Sequence, residues 1–219
     1  MERHIVQYHG GVTLLGGGAV EAADLHAALA LAPALVAADG GGDRALAFGL
    51  MPEAVIGDMD SLSPAGAAAI GPARLHRIAE QDSTDFGKCL THVGARFYIG
   101  LGFTGLRLDH TLAALSDLAQ RPDRAVVLIA EDELIFRAPP EIALDLPLGE
   151  RLSLFPFGPA SGTAEGLRWP IEGLNFTPAG RVGTSNEVSG PVRLSLAGEM
   201  LVLLPKRHLA GVLAALGLR

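Results

Sequence analysis

The sequence predicts an α/β protein: an N-terminal, mainly parallel sheet flanked by helices, followed by a smaller antiparallel β-sandwich domain. Two observations carry this reading. Up to about residue 135, short apolar runs alternate with longer Ala/Leu-rich segments, the pattern of βαβ units. After Phe136, prolines at 139, 140, 147, 156, 159, 170, 178 and 191 punctuate short runs, and helical periodicity is absent until the tail. That texture reads as antiparallel β. The expected division is 1–135 and 136–219, and with 49% hydrophobic residues over 219 positions the chain can bury a core.

In order, Val12–Leu15 reads as a strand that ends in Gly16-Gly17-Gly18, and Glu21–Leu31 has helical composition. Ala34–Ala38 is a second strand, broken by Asp39-Gly40-Gly41-Gly42, and Asp43–Phe48 a short helix. Ala54–Ile56 is a third strand, ending in Gly57-Asp58-Met59-Asp60-Ser61. Ala65–Ile70, Thr84–Val93 and His110–Ala119 read as helices, Phe97–Gly100 and Ala125–Ala130 as strands. In the second half the runs Arg151–Phe155, Val192–Leu196 and Met200–Leu204 are strand candidates. Leu209, Val212, Leu213 and Leu216 recur at helical spacing and mark a short terminal helix that covers apolar surface.

Composition narrows the function classes. With 24 acidic against 17 Lys+Arg residues, a net charge of −7 and no basic block, electrostatic binding to nucleic acid is not expected. The longest nearly uncharged stretch, Leu25 to Ala38, contains His26 and Pro33 and is too short to span a bilayer. Met1-Glu2-Arg3-His4 lacks the apolar core of a signal peptide, and the single cysteine, Cys89, suits a reducing compartment and reads as buried packing. A cytoplasmic protein without nucleic-acid or membrane partners is the expectation. Glycine takes 28 positions, about twice the ordinary share of about 7%.

The aspartates are placed non-randomly. Asp39 follows one apolar run, Asp58 and Asp60 the next, Asp82 and Asp85 lie beyond Leu75–Ala79, and Asp109 lies beyond Phe97–Leu101. Ligands of an open parallel sheet bind outside the carboxyl ends of its strands, so these carboxylates are expected on one rim. Such a cluster repels itself unless a cation compensates, and all-oxygen donors suit Mg²⁺ shared with a phosphorylated substrate. Each fragment also has a plain structural reading. Asp39-Gly40 is a turn, Asp82-Ser83-Thr84-Asp85 a helix start in which Asp82 accepts backbone N–H bonds, and Lys88 a helix-face partner of Asp85. Together, at successive strand ends, they point to a site.

Gly100-x-Gly102-x-Thr104-Gly105 has the character of a phosphate-cradling turn, with Arg107, Asp109 and His110 just after it. It is not a Walker loop, because no Gly-Lys-Ser/Thr follows. Gly16-Gly17-Gly18 reads as a tight strand-to-helix turn, Thr184-Ser185-Asn186 as a polar turn, and Trp169 as either a core aromatic or a platform for a flat ligand.

Taken in order, Ala38-Asp39-Gly40-Gly41, Gly57-Asp58-Met59-Asp60-Ser61, Gln81-Asp82-Ser83-Thr84-Asp85-Phe86-x-Lys88-Cys89, Gly102-x-x-Gly105-x-Arg107-x-Asp109-His110, Gly166-Leu167-Arg168-Trp169-Pro170 and Ser185-Asn186 resemble the thiamin pyrophosphokinase family. The resemblance runs from about residue 34 to about 204. It implies Mg²⁺-dependent transfer of pyrophosphate from ATP to the hydroxyethyl group of thiamin, giving thiamin diphosphate and AMP. It implies further that Asp58, Asp60 and Asp85 hold or orient Mg²⁺ while Asp39 and Asp82 shape the catalytic site. Lys88, Thr104, Arg107 and Asp109 would contact ATP, and Gln81, Trp169, Ser185 and Asn186 thiamin. Family members are homodimers with the thiamin pocket at the subunit interface, so residues 136–219 would bind thiamin and dimerise. Leu106 stands where the family often has a second glycine, and Phe103 where a small residue is common. Two rival readings use the same scaffold: a pyrophosphokinase for another heteroaromatic alcohol, or a non-catalytic thiamin diphosphate or nucleotide sensor.

Overall fold

The computed structural model describes residues 4–218; the expectation placed on Met1–Arg3 lies outside them. The chain divides into two compact units, Met1–Asp117 with Leu128–Glu131, and Leu118–Val127 with Asp132–Arg219. Among the described residues no helix is long and apolar enough to cross a membrane.

The first unit is built from β1 (Val6–Gln7), β2 (Gly11–Leu15), α1 (Ala22–Leu31), β3 (Ala34–Ala38), α2 (Gly41–Ala47), β4 (Ala54–Gly57), α3 (Pro64–Ile70), β5 (Leu75–Arg77), α4 (Asp85–His92), β6 (Val93–Gly94) and β7 (Phe97–Leu101), with most of α5 (Leu108–Gln120) and the end of β8 (Val126–Ile129). Strands β7, β2, β3, β4 and β5 lie side by side in that order, and every pairing among them is parallel. Strands of a parallel sheet are covered on both faces and therefore read as unbroken apolar runs. Val12, Leu14, Val36, Ile56 and Ile99 are accordingly fully buried. The polar exception in β2, Thr13, donates its hydroxyl to the Ala32 carbonyl at 2.6 Å and so ties the strand to the end of α1.

From β2 the chain lays β3, β4 and β5 outward on one side, then returns to place β7 on the other. The β2–β7 boundary is thus a topological switch point, where loops leave the sheet in opposite directions and open a crevice. There the Gly16 N–H donates to the Leu101 carbonyl at 2.8 Å and the Gly18 N–H to the Gly102 carbonyl at 2.9 Å. A Cβ at Gly16 would stand 2.5 Å from the Gly102 oxygen, so the two loops can approach this closely only through glycine.

Helix starts follow local chemistry. Ser63 caps α3, its hydroxyl accepting from the Gly66 N–H at 2.9 Å with Pro64 next in the chain. For α4 the cap is Thr84, whose hydroxyl accepts from the Gly87 N–H at 2.9 Å, rather than Asp82. Asp82 instead turns its own N–H to the Glu80 carboxylate at 2.7 Å. Cys89 is buried as expected, and burial pushes its thiol pKa up.

The second unit is antiparallel β, as the proline-rich texture predicts. It contains β9 (Glu133–Arg137), β10 (Glu141–Leu144), β11 (Arg151–Leu167), β12 (Gly183–Pro205) and α6 (Leu209–Ala215). Strand β12 runs antiparallel to both β10 and β9. Along β11, Ser153 faces Leu203 while Glu165 faces Arg193, so the main ladder to β12 also runs in opposite senses. Leu154 is flanked by Gly183 on one side and Val202 on the other. The sequence suggests only short runs here because Pro156, Pro159 and Pro191 interrupt them. Between the pairs Pro156–Met200 and Ala160–Gly198, four steps along β11 meet two along β12, so Pro159 occupies an irregularity that needs no regular ladder N–H. Leu209, Val212 and Leu213 of α6 are buried, as their spacing predicts, whereas Leu216 is the residue just past the helix and is half-buried.

One ionic knot secures the start of β11. Glu150 is only 6% exposed, and its carboxylate accepts from Arg207, from His208 Nε2 at 2.6 Å and from the Arg151 N–H at 3.1 Å. Burial alone would raise its pKa, but these donors outweigh it and hold the carboxyl below its ordinary 4.5. The Glu150 contribution is therefore complete above about pH 4.5 and is lost as pH falls through the depressed folded value. Glu150→Ala should cost about 2 kcal/mol at neutral pH, with the gap from wild type closing on acidification in urea melts recorded across that range.

Candidate active site

The carboxyl ends of β3 and β4 bring Asp39, Asp58 and Asp60 together. One carboxylate oxygen of each lies within 4.8 Å of the others, an arrangement able to hold a metal ion. Asp39 is 1% exposed, and its backbone is left-handed at φ 44°. Its N–H donates to the Ile56 carbonyl at 3.0 Å, and its carbonyl receives the Gly42 N–H at 2.9 Å, just inside α2. A Cβ on Gly57 would stand 2.7 Å from that of Asp39, so the neighbouring strand must end in glycine for Asp39 to be seated.

Asp39 Oδ2 accepts from the Ser61 N–H at 3.2 Å, whereas Oδ1 is buried with no hydrogen-bond partner. A buried carboxylate oxygen without a donor is costly, and a hard cation is the partner that a set of oxygen donors would take. Burial, followed by the charges of Asp85 and Asp58 and the proximity of Asp60, outweighs the Ser61 bond and raises the Asp39 pKa to about 6. Asp58 moves the other way. Gln81 Nε2 donates to its Oδ2 at 2.7 Å and the Asp60 N–H to its Oδ1 at 3.2 Å, which keeps it ionised. The Ser61 hydroxyl donates to Asp60 at 2.8 Å.

Between half-buried Asp58 and exposed Asp60, Met59 has φ 67° and packs against the cluster of Ala37, Val55, Leu62 and Ile70. Asp43 braces the far side of the loop, accepting from the Ser63 N–H and hydroxyl, each at 2.7 Å. Nothing in the local sequence marks Met59 for this role, and for Asp43 the only signal is the Ser63-Pro64 helix start it meets.

Asp85 opens α4 and pairs with Lys88 at 3.4 Å. Burial is the largest influence on Asp85 and raises its pKa, with Lys88 opposing. The plain ion-pair reading of Lys88 is thus met, although its side chain is only 3% exposed and so does not lie on a solvated helix face. Asp82 is exposed. At the switch point, Gly102 and Gly105 have φ 74° and 82°, and Thr104 lies half-buried between them. Leu106 keeps a glycine-like φ of 50° while 82% exposed. Phe103 fills the space beside the loop by packing on Phe86 at 4.6 Å between ring centroids. Arg107 and Asp109 form an exposed two-pronged pair at 3.1 and 2.5 Å.

In the second unit, Trp169, Ser185 and Asn186 line one cavity of about 300 Å³, with Ile171, Phe176 and Arg181. Trp169 is 50% exposed rather than a core aromatic. Ser185 has φ 61°, and its N–H donates to the Ser153 hydroxyl at 2.9 Å. Gln81, grouped with these residues on the sequence resemblance, belongs to the first unit and bonds Asp58.

Comparison with known proteins identifies the family. Residues 25–128 match the family model "Thiamin pyrophosphokinase, catalytic domain", and residues 140–201 match "Thiamin pyrophosphokinase, vitamin B1 binding domain". Thiamine pyrophosphokinase 1 of Oryza sativa subsp. japonica is 29% identical over 156 residues, covering 63% of this chain and 59% of that protein. Thiamine pyrophosphokinase 3 of the same plant is 26% identical over 179 residues, covering 72% and 67%. The crystal structure of yeast thiamin pyrophosphokinase shares the fold at a TM-score of 0.75 and 17% identity, covering 93% of this chain and 92% of that one. With one family model on each half and relatives spanning both, the chain belongs to the thiamin pyrophosphokinase family.

Proposed function

We propose that this protein transfers pyrophosphate from ATP to the hydroxyethyl oxygen of thiamin, giving thiamin diphosphate and AMP, with Mg²⁺ as cofactor. The observation that carries the reading is the convergence of Asp39, Asp58 and Asp60 around an unpaired, buried Asp39 oxygen in a chain of this family. Residues 1–135 form the ATP and Mg²⁺ domain, and residues 136–219 the thiamin-binding and dimerisation domain. The family models at 25–128 and 140–201 support that split. The working form is a cytoplasmic homodimer with the thiamin pocket at the subunit interface.

In the reaction the hydroxyl oxygen of thiamin bonds to the β-phosphorus of ATP. The bond from that phosphorus to the oxygen bridging toward the α-phosphate breaks, and AMP leaves with the electron pair. A rim carboxylate accepts the hydroxyl proton. Asp58 and Asp60, with Asp39 behind them, hold Mg²⁺, and Asp85 orients the site through Lys88. Bound Mg²⁺ supplies charge compensation to the polyphosphate. Lys88, Thr104 and Arg107 position the phosphates, and Asp109 fixes the plane of the Arg107 fork. Gln81 holds Asp58 ionised. In the second unit the flat rings of thiamin lie against Trp169 beside Ser185. Most of the catalytic gain comes from positioning and fixed charge.

Incubation with thiamin, ATP and Mg²⁺ should release AMP in step with thiamin diphosphate, followed by chromatography; ADP as the stoichiometric product would exclude direct pyrophosphoryl transfer. Weak competition by thiamin against another heteroaromatic alcohol would move the assignment to that alcohol, and binding without product would favour a sensor.

Asp60→Asn and Asp85→Asn should each lower kcat at least about a hundredfold while circular dichroism stays native. Because Asp60→Asn removes one like charge, its metal-free melting temperature should not fall. The stabilisation that Mg²⁺ gives wild type in thermal melts should vanish in this variant. Retained activity in both variants would sink the metal assignment.

A further inference from the structure

Trp169 presents a difficulty that its surroundings resolve. A ring that is half-exposed cannot be held in place by core packing, yet a stacking platform must keep one orientation to be useful. Its backbone is held instead. Asn186 Oδ1 accepts from the Trp169 N–H at 3.1 Å, and Asn186 Nδ2 donates to the Trp169 carbonyl at 2.7 Å. The same Oδ1 also accepts from the Glu187 N–H at 2.9 Å. The carboxamide thus grips both polar groups of a single residue seventeen positions away, as a neighbouring strand would.

The neighbours reinforce this grip. The Arg168 N–H donates to the Glu187 carbonyl at 2.8 Å. Its guanidinium pairs with the Glu187 carboxylate at 3.2 Å and lies over the Trp169 ring, 5.0 Å from the centroid. One ring face is therefore already occupied by a neutralised cation, leaving the other for a ligand. Asn186 itself is 7% exposed. Its amide oxygen already accepts two bonds and its nitrogen donates one, so little of the carboxamide is left to address a ligand.

We infer that Asn186 is a positioning residue that sets affinity for a flat heteroaromatic ligand by clamping the Trp169 backbone, rather than by touching the ligand. The inference rests on the reading that thiamin occupies this cavity. It replaces direct contact, the role the sequence resemblance implies for Asn186, with action through the tryptophan. It also separates Asn186 from Ser185, whose side chain makes no such closed pair of bonds with the tryptophan.

Trp169 is the only tryptophan, so its emission reports on this residue alone. In the full-length protein, Asn186→Ala should lower the steady-state anisotropy of that emission and raise its quenching by acrylamide. The thiamin Kd, read by fluorescence quenching without ATP or metal, should rise about tenfold, and KM for thiamin should rise with it while kcat stays within about twofold. Asn186→Asp keeps the shape and the accepting oxygen but loses the donor, and should fall between wild type and Asn186→Ala.

The decisive comparison is a double-mutant cycle with Trp169→Ala, with thiamin binding read by calorimetry. Asn186→Ala should cost little further affinity once the tryptophan is gone. Additive losses would mean direct contact and overturn the inference, as would unchanged anisotropy in Asn186→Ala or unfolding of both Asn186 variants. If wild type fails to bind thiamin, the functional reading falls, whereas the anisotropy and acrylamide measurements still decide whether Asn186 holds Trp169.

Discussion

Keeping three carboxylates within 4.8 Å of one another is the demand to which the first unit is fitted. Like charges at that spacing oppose the fold, and the structure meets the opposition by dividing the labour. Asp39 is buried and has its pKa lifted, while Asp58 is held ionised by Gln81 and the Asp60 N–H. The loop carrying Asp58 and Asp60 is pinned from several directions, by Asp39 at Ser61, Asp43 at Ser63 and the apolar packing of Met59. A cluster left to the flexibility of a surface turn would splay apart.

The same demand appears in the backbone. Among the described residues, the non-glycine positions with left-handed φ are Asp39, Met59, Leu106 and Ser185, and each lies in or beside a segment assigned to the reaction. Such conformations are disfavoured for L-residues and persist where the surroundings over-determine them. At Asp39 the ladder bond to Ile56 and the start of α2 fix the backbone; at Met59 the apolar anchor does so. At Ser185 the N–H rests on the buried Ser153.

Much of this was legible in the sequence, for identifiable reasons. A parallel sheet covered on both faces writes itself as apolar runs, so β2, β3, β4 and β7 stand out, and aspartates following those runs mark the rim. The long strands β11 and β12 were not legible, because Pro156, Pro159 and Pro191 break the local signal while pairing across the sheet restores the strand. Nor was the cap of α4, where Thr84 and Asp82 are both good candidates and only geometry chooses. The Asn186–Trp169 bonds were invisible for a different reason. Asn186 sits in a run that reads as a polar turn, and nothing in that run indicates which distant backbone its carboxamide will meet.

The switch point between β2 and β7 has a consequence for how the molecule comes into being. As the chain is synthesised, β2, β3, β4 and β5 can pair in the order in which they emerge. Strand β7, whose Phe97 must find Gly11, closes the sheet only after all of them exist. Loop closure over such a separation slows folding. The crevice lined by Gly16, Gly18 and Gly102 is therefore complete only once β7 and its following loop have been made, whereas the carboxylate-bearing strands precede it in the chain. The order of strands in space thus sets a temporal order as well, with the like charges made before the loop opposite them.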